Sequence, residues 1–180
     1  MAKKTSDKDK GAAQGAPKAK GADKAKGKAK ASTKGKAKSK GPAPTVADAE
    51  AVMKLYDLRR EAVMRASRDT LIKWTPKCYA DLAAITDFAH EHNAAFRQVS
   101  SYFELAYSLA RRGAVHPELL VEWCGEGLLL YAKVHPYLAE FRAKASPTAF
   151  SNAEWVAENT EAGAARFALF QKRFAAQAAK

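Results

Sequence analysis

The sequence predicts an all-α domain, a single bundle of about six or seven helices, behind a disordered lysine-rich N-terminal arm. Three observations carry that prediction. From Thr45 onward, apolar residues recur at intervals of three and four, and nowhere alternate in the period-two pattern of strands. All seventeen aromatic residues lie in residues 45–180, a length that buries roughly two-thirds of its unfolded surface. Residues 1–44 hold fourteen Lys against three Asp, with no Arg and no aromatic. The formal charge of +12 is therefore +11 in the arm and +1 in the body.

Within the arm, Lys18, Lys20, Lys24, Lys26, Lys28, Lys30, Lys34, Lys36, Lys38 and Lys40 stand mostly at every second position. Ala, Gly and Ser fill the gaps. Like charges three and four apart and six glycines oppose a helix. Nothing apolar is present to offset chain entropy, so the segment is expected to stay disordered, with an r.m.s. reach of about 35 Å. Gly41-Pro42-Ala43-Pro44 marks the boundary at residue 44.

Thr45 is a candidate N-cap with Asp48 three residues on, the spacing of a capping box. Val52, Tyr56, Arg59, Val63, Ala66, Thr70 and Trp74 trace one face of a long first helix ending near Thr75-Pro76. Leu82, Ile85, Phe88 and Ala89 predict a shorter second helix, closed by His90–Asn93. Phe96, Val99, Phe103, Ala106 and Leu109 predict a third, with Arg111 and Arg112 in its last turn and Gly113 as its stop. Pro117 opens a fourth at the favoured first position, its apolar face holding Leu120, Trp123, Cys124, Leu128 and Tyr131. Pro136 should break or kink that run, leaving Tyr137, Leu138 and Phe141 on a fifth piece. Ser146-Pro147 starts a sixth containing Phe150, Trp155 and Val156. Phe167, Phe170 and Phe174 define the last, as core residues or as a face that docks on a partner subunit.

Residues 93–142 resemble an uncharacterised bacterial all-helical domain family of unknown function. The matching residues are Tyr102-Phe103-Glu104, Gly113, Pro117-Glu118, and Pro136-Tyr137-Leu138 with Arg142. The resemblance implies a helical fold and nothing about chemistry. Members often carry a membrane helix ahead of the domain, where this chain has its lysines. The arm is similar, in composition only, to the lysine/alanine-rich tails of linker histones and some bacterial nucleoid proteins.

No catalytic constellation emerges. His90-Glu91-His92 with Asp87 upstream invites a metal reading, but no third ligand stands at a set spacing, and helix-terminus histidines explain the pair more simply. His116 reads as a helix-start residue and His135 as a junction residue. Cys78 and Cys124, 46 positions apart, fit no zinc or redox motif and read as reduced core residues. Glu104 and Arg97 flank the third helix's apolar stripe, as an ion pair or a polar anchor. Glu118, Glu122 and Glu126 read as a solvated acidic edge. Gly125 and Gly127 sit inside a helical pattern and read as close-packing or kink positions, not as a phosphate loop.

No run of about 18 apolar residues supports a membrane span, and no apolar segment follows the N-terminal lysines as a secretory signal requires. The expected protein is non-enzymatic, has no cofactor or metal, and resides in the cytosol, on the nucleoid or ribosome. Its expected partner is the phosphate backbone of nucleic acid, bound by the ten lysines from Lys18 to Lys40 without sequence preference. The helical body is then an adaptor or oligomeriser. The alternative is a helical protein-interaction module tethered by the arm to anionic membrane or acidic protein surfaces.

Overall fold

The computed structural model describes residues 42–178, which are all helical apart from their turns. Eight helices follow one another: α1 (Val46–Arg59), α2 (Ala62–Lys73), α3 (Tyr79–Ile85), α4 (Asn93–Arg111), α5 (Pro117–Cys124), α6 (Gly127–Lys144), α7 (Ser151–Asn159) and α8 (Glu161–Ala178). The described residues contain no strand. α4 and α6 form the middle of the bundle. α4 packs on α2, α5, α6 and α7, while α6 also meets α3, α7 and α8.

The capping box at Thr45 forms: the Asp48 N–H donates to Thr45 Oγ1 at 3.2 Å, and the Thr45 N–H donates to Asp48 Oδ2 at 2.7 Å. Asp48 does more than cap. Its other oxygen accepts the His116 N–H at 2.7 Å, fastening the start of α1 to the start of α5.

The long first helix of the sequence reading is two helices. Glu61 takes an extended backbone (φ −56°, ψ 147°), and the register turns there. α1 buries Val52 and Leu55, whereas α2 buries Met64, Ser67 and Leu71 and leaves Val63 two-thirds exposed. A single 3.6-residue stripe drawn through both picks the wrong face of α2. The end near Trp74 is correct; Trp74 is extended (ψ 131°) and the chain reaches Pro76 through it.

α3 is shorter than expected. Phe88 and Ala89 lie beyond it in turns, Ala89 N–H bonding to Asp87 Oδ1 at 2.9 Å, and Phe88 is 81% exposed. α4 matches its prediction, and Gly113 takes the left-handed φ of +71° that its helix stop needs.

The fourth and fifth helices are cut elsewhere. The break falls at Gly125-Glu126, not at Pro136, so Leu128 and Tyr131 belong to α6, which runs unbroken through Pro136. Gly127 explains the position of the break. A Cβ there would overlap the Phe103 ring, so α6 starts where it can press against α4. Trp123 is 55% exposed and faces away from the core formed by Leu120, Val121 and Cys124. α7 begins at Ser151 after a turn over 146–150. In α8, Phe167 and Phe170 are half-buried against the core, and Phe174 is half-buried outside it.

The core joins all eight helices except α8, which covers it from outside. Leu82, Ile85, Leu120, Leu128 and Val134 are fully buried, each contributing about 1.5–3 kcal/mol of transfer free energy before entropy is counted.

Candidate functional site

A cleft of about 860 Å³ runs along α4, between α2 and the turn joining α6 to α7. Phe96, Phe141 and Phe150, all buried, underlie it. Ser67, Ser100, Ser101, Thr148 and Gln98 supply polar walls, with Arg97 and Glu104 also lining it. Residues 97, 101 and 104 share a helical face, which is how α4 presents them together.

The two charged residues do different work. Glu104 accepts the backbone N–H groups of Asn152 at 3.1 Å and Ala153 at 2.9 Å, and the Asn152 side-chain amide at 3.1 Å. It thereby caps α7, whose own N-cap residue, Phe150, has no capping side chain and a left-handed φ of 56°. Such a conformation costs an L-residue roughly 1–2 kcal/mol. Burial of the Phe150 ring against Phe96 and Tyr131 (centroids 6.1 and 6.5 Å) offsets it. Arg142 secures the same turn, donating from Nε to Ala149 O at 2.9 Å and from Nη1 to Glu154 at 2.8 Å. One wall of the cleft is therefore rigidly held. Arg97 makes no ion pair among the described residues; its guanidinium rests 4.9 Å from the centroid of the exposed Phe88 ring.

The other interior charges serve the fold. Lys133 is buried, and its ammonium donates to the carbonyls of Leu71 and Ile72 at 2.8 Å and Trp74 at 2.5 Å, closing the end of α2. Burial, with a smaller contribution from Arg173, pushes its pKa down to about 8. Glu126 binds Arg68 through both oxygens at 2.8 and 2.6 Å. Glu118 accepts the N–H groups of Glu161 and Ala162 at 2.7 and 2.9 Å, capping α8. The acidic edge expected from Glu118, Glu122 and Glu126 is thus corrected: only Glu122 is exposed. Four-residue spacing put them on one face, but two of them meet helices distant in sequence.

The remaining candidates fall as follows. Lys18, Lys20, Lys24, Lys26, Lys28, Lys30, Lys34, Lys36, Lys38 and Lys40 lie outside the described residues. His90 and His92 place their rings 5.6 Å apart, the His92 N–H donating to His90 Nδ1. No group of three His, Cys, Asp or Glu converges on a common point among the described residues. His92 precedes α4 at its N-terminus, so it faces the positive end of that helix. His116 caps α5, accepting the Leu119 N–H, whereas His135 is an exposed position inside α6 beside Phe167, not a junction. Cys124 is buried, and burial raises its thiol pKa; Cys78 is exposed, which corrects its core assignment. Tyr107, wholly buried, donates to Cys124 O at 2.8 Å, and burial also holds its phenol well above the ordinary range. The Arg97–Phe88 pair was missed because Phe88 continued an apolar helical stripe. Thr86-Asp87, both turn formers, were the signal against it.

No curated protein and no solved structure matches the chain. A family model described as a domain of unknown function, DUF4760, matches residues 44–160. The match takes in Tyr102, Phe103, Glu104, Glu118 and Arg142, whose side chains fasten one helix to the next. With α1 to α7 inside the matched segment, the chain belongs to the DUF4760 family of uncharacterised domains.

Proposed function

We propose that the protein is a non-enzymatic nucleic-acid-associated protein whose arm binds phosphate backbone without sequence preference and whose helical body serves as adaptor or oligomeriser. One observation carries the reading: fourteen Lys and no Arg or aromatic in residues 1–44, beside a body at net +1. Lysine is a point charge, without the planar fork by which Arg reads guanine edges. An arm of lysines neutralises phosphates and releases condensed counterions, which requires charge density and no register. The nucleoid or the ribosome offers that target.

The test is a salt titration of the full chain on duplex DNA or RNA. With roughly six to ten lysines on phosphate, log K should fall against log salt with a slope of about −5 to −9. Replacing alternate lysines between Lys18 and Lys40 by Gln should reduce the slope in proportion, while scrambling residues 18–40 should preserve the affinity. A slope near zero would remove the reading. Stronger binding to anionic vesicles than to nucleic acid at equal salt would establish a membrane tether instead.

A further inference from the structure

The cleft along α4 brings three features together in one place. Its lining includes a cation, Arg97, that has no ion-pair partner among the described residues and whose guanidinium is backed, from outside the cleft, by the 81% exposed ring of Phe88. It has hydroxyl and amide groups, Ser67, Ser101, Thr148 and Gln98, set over buried phenylalanines. The acid that lines it, Glu104, keeps its charge but turns its oxygens to three N–H donors of α7 and makes no ion pair with Arg97, which leaves the guanidinium donors open to a phosphate. A volume of about 860 Å³ lies in the range of small-molecule sites and exceeds one nucleotide.

We propose that this cleft receives an unpaired nucleotide of a nucleic-acid strand. The base stacks on the guanidinium plane of Arg97, which Phe88 holds from the other side, the phosphate meets the edge of the same guanidinium, and the hydroxyls and Gln98 bond to the sugar and base edges. Bases commonly stack on guanidinium planes and aromatic rings where strands are single, and such stacking tolerates any sequence. A lysine arm without an aromatic or an Arg cannot stack, so it holds duplex and single strand by charge alone. The cleft adds a preference for unpaired segments. For its ligand class this inference rests on the nucleic-acid reading of the arm.

The two are separated by using two probes on the full chain. Adenosine monophosphate, followed by amide chemical shifts, should perturb Thr86–Phe88 and Arg97–Ser101, with the shifts lost in Phe88→Ala and in Arg97→Gln. Both residues are exposed, so neither substitution removes core packing. A labelled single-stranded oligonucleotide should bind each variant about 5- to 30-fold more weakly than the native chain, while a duplex of equal charge binds all three alike. Duplex binding without shifts from adenosine monophosphate would overturn the cleft and leave the arm intact. Shifts without duplex binding would overturn the arm and leave the cleft. Equal perturbation by inorganic phosphate alone would show a simple anion contact and overturn base recognition.

Discussion

Glu104 is a single carboxylate on which the position of α7 depends. It accepts three donors that would otherwise face a helix start with no capping side chain. Glu104→Ala should destabilise the fold by about 2–3 kcal/mol in urea denaturation, since charged hydrogen bonds are lost and buried donors are stranded. Glu104→Gln, which retains one acceptor oxygen, should lose about half as much. Lys133 makes the complementary case, an ammonium on the carbonyls that end α2. Its pKa in the fold, about 8, lies below the ordinary 10.5, so between those values the unfolded chain binds more protons. Stability must then rise with pH above about 8, most cleanly below pH 9, before the thiol of Cys124, which burial holds protonated in the fold, and then the tyrosines ionise in the unfolded chain and oppose the rise. The rise should be on the order of 1–3 kcal/mol, read from urea midpoints, and absent in Lys133→Met. A flat profile in the native chain would mean that the three carbonyls fully offset the burial.

At the scale of elements, α6 is the most instructive. Proline in a helix interior removes an N–H and crowds the preceding turn, at a cost of about 3 kcal/mol. α6 nevertheless continues through Pro136, because Val134, Leu138 and Phe141 are buried on either side and Lys133 anchors it to α2. Pro136 is exposed, so nothing packs against its ring in compensation. Pro136→Ala should therefore stabilise the protein by about 1–2 kcal/mol, measured by thermal and urea unfolding. A loss of stability would indicate that the ring shapes a bend that the packing of α3 and α8 requires. Periodicity found the apolar content of α5 and α6 correctly. It could not place their junction, because the deciding contact, Gly127 against the Phe103 ring, is made with another helix.

For the whole molecule, the core lies within residues 52–157, and the sequence places no apolar side chain larger than Ala or Pro in the arm, beyond Met1, to join it. Removal of residues 1–40 should change the unfolding free energy of the remainder by less than about 1 kcal/mol; a loss above about 2 kcal/mol would show that the arm packs on the body. Nucleic-acid affinity should fall steeply in the same variant.

Helix periodicity, the Thr45 capping box, the Gly113 stop and the separation of charge between arm and body were legible without a fold, because each depends on neighbours within a few residues. The seams at Glu61 and Gly125 and the exposure of Phe88 and Trp123 were not. Neither were the partners of Glu104, Glu118 and Lys133. Those depend on which faces meet, and residues 48 positions apart, such as Glu104 and Asn152, become neighbours only once the helices pack. Local spacing specified the helices and the cationic arm; the meeting of α2, α4 and the α6–α7 turn alone made the cleft.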